Sequence, residues 1–351
     1  MTILPKQLSA ACDCYKKRKV VANCDAALIN FEELPEYMKD NEFIRNYYRC
    51  EWQLKDVALS IFSLHNESLN IWTHLVGFLI FSKMMIMSLN EKTSLRNVRA
   101  VFFGSGSDGW LSMITVSSLL KSLSSLSLKN DSYIGKVAGL GSLHTQEEHA
   151  TSVPIWPWLI FLSGAMICLI FSSVSHLFGC HSRRFHYFFW RLDYTGISLM
   201  IVCSFFTPIF YIFADQPYWR FFYLSSVTIL GAAVVVTLLA PSLANGRTRS
   251  FRATLFLCMG FSGVVPATHA VILHWDQPKI RVSLMYEVVM WLMYGAGALI
   301  YVTRVPERWK PGAFDIVGHS HQIFHVFVVA AALAHCAASL MIMDWRCSLP
   351  P

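Results

Sequence analysis

The chain has 351 residues, of which 54 % are hydrophobic and only 15 % charged. A soluble domain carries roughly 25 % charged residues, so this composition excludes an ordinary soluble protein and points to a membrane one. The net charge of +7 does not call for a nucleic-acid partner, because an excess of Lys and Arg is also what membrane orientation produces.

Residues 1–62 read as a polar N-terminal segment, with KKRK at 16–19 and no apolar run in the first thirty residues, so a cleaved signal peptide is not expected. Cys12, Cys14 and Cys24 lack a fourth ligand at finger-like spacing and read as free thiols. Others of the ten cysteines, such as Cys168, Cys203 and Cys258, lie inside apolar runs, which is not the pattern of a disulfide framework.

From residue 63 to 343 the sequence predicts an all-α membrane domain of seven spans. These are Ile71–Leu89, Trp156–Phe178, Tyr194–Phe213, Phe221–Ala240, Ala253–Leu273, Val282–Thr303 and Gln322–Met343. Each is near the ~20 residues that cross the hydrocarbon core, and a helix is the economical way to satisfy backbone hydrogen bonds there. Lys83 is an unusual residue for the outer half of the first span. The connection 90–155 reads as a long extracytosolic loop; its Ser-rich stretch 110–128, interrupted by Lys121, is read as a surface segment and not as a further span. Residues 344–351 are a short tail.

Lys and Arg set the direction. Residues 1–55 hold nine, and the second, fourth and sixth connections hold three each. The third has Arg220, the fifth Lys279 and Arg281, and the tail Arg346. The positive-inside rule then predicts a cytosolic N-terminus and an extracytosolic C-terminus.

With that direction, depth can be assigned. His176 falls near the cytosolic end of the second span, with Ser172 one turn deeper on the same face. Asp193 stands at the cytosolic entrance of the third. His321 and His325 occupy the first turns of the seventh. At i and i+4 these two project from one helical face and can share a metal. A third imidazole, from His176, completes a three-histidine set that leaves one tetrahedral position open. With no thiolate in this layer, zinc suits the donors better than copper(I) or an iron–sulfur cluster.

His335, ten residues beyond His325, is ~15 Å away along the axis and reads as a packing or hydrogen-bonding residue. His319 reads as interfacial. Glu287 is open between an intramembrane functional role and reaching the interface. Glu67, Asn70 and His74 share one face of the first span. They either support the zinc ligands or tie the N-terminal segment to the bundle, and the tie is the simpler reading.

SLHNESLNIWTHLVGF at 63–78, SHLFGCHS at 175–182, RLDYTGIS at 191–198, VPERWKPGAFD at 305–315 and HSHQIFHV at 319–326 resemble the progestin and adiponectin receptor (PAQR) family, in its plant heptahelical branch. ELPEYMKDNEFIRNYYR at 33–49 is similar to the amphipathic cytosolic segment that precedes the first span in that family, and an amphipathic helix is expected within residues 1–62. The resemblance implies an intramembrane Zn2+ on His176, His321 and His325, with Ser172 and Asp193 beside it. It also implies two functions: a zinc-dependent hydrolase of ceramide-type lipid amides acting in signalling, with Asp193 and Ser172 as catalytic residues, or a heptahelical receptor in which the zinc is structural. The partners expected are membrane lipids, among them a sphingolipid substrate, and a cytosolic protein at the N-terminal segment. Nucleic acid is not expected.

Overall fold

The computed structural model describes residues 27–89, 153–240 and 248–349. The cysteines at 12, 14 and 24, the KKRK run and nearly all of the 90–155 connection, including 110–128, lie outside the described residues.

Seven helices are long and apolar enough to cross a membrane: α1 (Ser68–Leu89), α2 (Trp156–Phe178), α3 (Arg183–Ile212), α4 (Pro217–Leu238), α5 (Arg249–His274), α6 (Pro278–Thr303) and α7 (Ser320–Cys347). The protein is thus an integral multi-pass membrane protein, and no strand occurs among the described residues. Several spans begin earlier than hydropathy indicates, because polar residues complete the first turns. In α3 the Ser182 hydroxyl accepts from the Phe185 amide, one of the unpaired donors at a helix start.

The seventh helix lies at the centre. Its run AAALAHCAAS (330–339) is almost entirely buried, with Ala331, Ala337 and Ala338 at 0 % exposure. In lipid, where tails are as apolar as leucine, such small residues let helices approach closely enough to gain packing. The same device brings α2 against α3, where a Cβ on Gly164 would stand 2.4 Å from that of Cys203. Trp158, Phe161 and Leu162 of α2 fill the core with Phe81 of α1 and Leu340 of α7. Large apolar side chains of α4, α5 and α6, such as Ile229, Ile272 and Leu292, face outward, as lipid-facing surfaces do.

Two expectations are corrected by the structure. The fifth span is not one continuous helix: it consists of Arg249–Phe261 and Val264–His274. Pro266 has no N–H for the Ser262 carbonyl four residues back. The amphipathic helix expected within residues 1–62 is also not formed by 33–49. That stretch holds short 3-10 turns at Phe31–Glu33 and Glu36–Met38, and the nearest α-helix is the six-residue Leu54–Leu59. Its backbone hydrogen bonds go elsewhere: the Arg45 amide donates to Asp315 at 2.8 Å, and Tyr47 takes a positive φ of 67°, which ends helical geometry.

Instead of lying on a membrane surface, residues 41–51 are bonded into the α1, α2 and α7 ends of the bundle. Buried Arg49 donates to the carbonyls of His176 (2.8 Å) and Leu177 (3.2 Å) and to Ser60 Oγ (2.6 Å). It thereby caps the last turn of α2, whose carbonyls have no helical partner. Asn41 donates to Glu307 at 3.0 Å. The fully buried Glu307 accepts from the backbone amide of Ser320 (2.7 Å) and from its hydroxyl, holding the first turn of α7.

Candidate metal centre

The two helix ends held by this segment carry the three histidines. His176 leaves the last turn of α2, and His321 and His325 leave successive turns of α7. Nε2 of His321 lies 3.1 Å from Nε2 of His176 and 3.1 Å from Nε2 of His325. One nitrogen from each ring falls within 4.8 Å of the other two. Two ligands of one tetrahedral zinc stand about 3–4 Å apart when each bond is ~2.0–2.1 Å, so the spacing fits one shared ion.

Hydrogen bonding on the far side of the rings strengthens that fit. Nδ1 of His176 is 2.7 Å from the Glu67 carboxylate. Nδ1 of His325 is 3.1 Å from the Asn70 carbonyl. Both oxygens are acceptors only, so both Nδ1 atoms carry hydrogen and, in the neutral rings, both Nε2 atoms present lone pairs. Nε2 of His321 can offer a single hydrogen, which serves one of them and not the other. A cation at the point of convergence satisfies all three. The outward bonds to a carboxylate and a carbonyl are those that orient metal-binding histidines.

Glu67, for which a tie to the N-terminal segment is the simpler expectation, stands behind His176, with the Asn70 amide donating to it at 2.6 Å. Burial alone would raise its pKa, but His176 and the Asn70 amide hold the carboxyl ionised, well below its ordinary range. The spacing of Glu67, Asn70 and His74 carried the signal for this role. His319, expected at the interface, is buried, with Nε2 3.2 Å from the Asn66 carbonyl.

Ser172 and Asp193, both buried, are brought to the same layer, with the two side chains next to each other. Together with His74, His321 and His325 they border a cavity of about 230 Å³, lined mostly by apolar side chains such as Cys168, Ile197, Met200 and Phe205, with Arg252, Glu287 and His335 among its polar residues. On the other side of the trio, His176 and His321 border a polar basin of about 850 Å³ roofed by residues 36–49. Tyr194, Arg252, Tyr301 and His321 line both spaces. Arg252 stacks over Tyr194, and Arg249 over Tyr301, each at 4.5 Å.

His335 is remote from this centre. Its Nδ1 is 2.9 Å from a Glu287 oxygen and its Nε2 is 2.9 Å from the Ser204 carbonyl. The hydrogen-bonding role read for His335 is what the structure shows, and Glu287 turns inward to it and not to the interface. Sequence reasoning did not single out Arg49, whose partners include backbone carbonyls of α2 far along the chain, or Glu307, which joins Asn41 to the first residue of α7.

Comparisons with known proteins agree with this architecture. The haemolysin-III related family model matches residues 62–336. Heptahelical transmembrane protein 3 of Arabidopsis thaliana is 53 % identical over 338 residues, covering 96 % of this chain and 92 % of that protein. Heptahelical transmembrane protein 1 of the same plant is 44 % identical over 319 residues, covering 91 % and 82 %. The adiponectin receptor protein of Drosophila melanogaster is 31 % identical over 329 residues, covering 92 % and 62 %. A family model running from the foot of α1 into α7, and plant relatives of nearly equal length, leave one placement: the chain belongs to the haemolysin-III related family of adiponectin-receptor-like heptahelical membrane proteins.

Proposed function

We propose that the trio binds zinc and that the protein is a zinc-dependent hydrolase of lipid amides of the ceramide type, acting in signalling. The observation that carries this reading is the convergence of three imidazole nitrogens beside a buried Asp193–Ser172 pair on the rim of an apolar cavity. Bound zinc would lower the pKa of a coordinated water to about 7 and polarise an amide carbonyl. Asp193 accepts the proton of the attacking water and passes it to the leaving amine. Ser172, beside Asp193, helps position the attacking water and the reacting carbonyl. The apolar cavity takes the acyl chain from the bilayer side, and the basin admits water. In this reading the face bearing the N-terminal segment is cytosolic, as the Lys and Arg distribution requires.

A second reading has one observation in its favour. The N-terminal segment grips both helix ends that carry the trio, which suits a receptor whose metal is structural and whose segment meets a cytosolic partner. Metal analysis and ceramide turnover on the purified full chain separate the two. The hydrolase reading expects about one zinc per chain and turnover that Asp193→Asn abolishes without loss of metal, whereas His325→Ala loses both. Full turnover in Asp193→Asn, or none in the zinc-loaded parent, refutes the hydrolase and leaves the receptor.

A further inference from the structure

A polar group in an apolar cavity is costly unless something bonds it. Tyr211 and Tyr223 settle this within the protein, bonding their hydroxyls to the Pro154 carbonyl and to His269, as buried tyrosines usually do. Tyr294 of α6 does not. Its ring packs against the core, yet its hydroxyl has no hydrogen-bond partner among the described residues and keeps accessible surface on the cavity it borders. Phenylalanine would fill the same space without that oxygen.

Helix geometry fixes how deep this hydroxyl lies. Glu287, Tyr294 and Tyr301 follow at seven-residue steps, about two turns each, and all three line the cavity. Tyr301 stands at the trio, its ring centroid 5.2 Å from that of His321. Tyr294 is therefore ~10 Å deeper along the axis. Its neighbours there are Cys168 of α2, Cys336 of α7 and Glu287, so it faces into the bundle and not toward lipid. Glu287 is already engaged by His335.

A saturated chain running down this cavity from the trio passes Tyr294 and leaves its hydroxyl unpaired. A hydroxyl on the chain at that level both gives and takes a hydrogen bond with the phenol. Among lipid tails the same chain hydroxyl has no partner either, so both groups gain when they meet. We propose that Tyr294 binds a hydroxyl carried on the acyl chain, about eight methylenes from the amide by the ~10 Å of axial rise, and so selects acyl amides hydroxylated in mid-chain over plain ones. This selectivity rests on the lipid-amide reading above and narrows its substrate class at a point remote from the amide.

The test reads binding, so that it does not depend on turnover. The zinc-loaded full chain, in lipid nanodiscs, is titrated with three N-octadecanoyl sphingoid bases: one with a plain acyl chain, one hydroxylated at acyl carbon nine and one at acyl carbon four. The parent is expected to bind the carbon-nine lipid about tenfold more tightly than the other two. Tyr294→Phe, which removes a single oxygen, should keep zinc, fold and affinity for the plain chain, while the preference falls below about threefold. An undiminished preference in Tyr294→Phe, no preference in the parent, or equal preference for the two hydroxyl positions would each overturn the proposal. So would loss of fold in Tyr294→Phe, since a hydroxyl kept for a ligand holds nothing else in place. Preference without hydrolysis counts against the hydrolase and not against Tyr294, whereas failure of all three lipids to bind refutes both.

Discussion

Arg49 donates to the carbonyl of His176 at 2.8 Å, so a residue of the N-terminal segment is bonded to the backbone of a trio member. Its fork also reaches the Leu177 carbonyl, a pairing a lysine ammonium cannot reproduce in the same geometry. Arg49→Met is expected to weaken zinc binding about tenfold and Arg49→Lys to restore only part of it, as read by competition with a chelator. Glu307→Gln, acting through Ser320 on the other helix, should lower affinity in the same direction. Unchanged affinity in both variants would mean the trio is held without the segment.

Glu67 tests the tautomer argument. Glu67→Gln keeps an oxygen near His176 Nδ1 but removes the charge; Glu67→Ala removes the acceptor. Zinc affinity is expected to fall about tenfold and about a hundredfold respectively. Equal affinities for parent and alanine variant would show that His176 needs no partner behind it.

His65 makes docking of the segment pH-dependent. Its Nδ1 accepts from the Glu67 amide and its Nε2 lies 3.2 Å from the Ser60 carbonyl. Burial, with Arg49 nearby, pushes its pKa down from 6.5 to about 4. Protons therefore bind more tightly to the undocked form, and the neutral ring's contribution is complete above pH 6.5 and lost as pH falls toward 4. Amide exchange of residues 41–66 should rise through that window in the parent. In His65→Gln, which has no proton to bind, the rise should be smaller; an identical profile would remove His65 as the cause.

The Glu287–His335 pair is expected to serve stability and not the metal. Removing one partner leaves the other buried and unpaired, at a cost of ~3–5 kcal/mol, whereas replacing both by leucine is closer to neutral. Thermal unfolding of Glu287→Leu, His335→Leu and the double variant should show this non-additivity with zinc content unchanged. Additive losses would argue against a coupled pair.

The spans were legible because bilayer thickness imposes a length on apolar runs, and His321 and His325 because a helix places i and i+4 together. His176 was reachable only through topology, by giving the second and seventh spans a common depth. The residues that hold the trio were harder. Arg49 bonds carbonyls at a helix end, which have no signature in the side-chain sequence, and Glu307 pairs with Asn41 across 266 positions of chain. The break in α5 had a visible cause in Pro266, but apolar periodicity runs straight through it. The segment 33–49 has the composition of an amphipathic helix; tertiary bonds to Asp315 and Glu307 outweigh that local preference.

The trio joins residues 145 positions apart in the chain, while every described cysteine is free. An ion held there is a cross-link in the sense that a disulfide is one in a secreted domain. The chain-entropy argument gives a closed loop of that size on the order of 5 kcal/mol, an upper bound in a bilayer that already confines the open chain. The bundle is then clasped at one end by coordination bonds, and it should be loosened by a chelator and indifferent to a reductant.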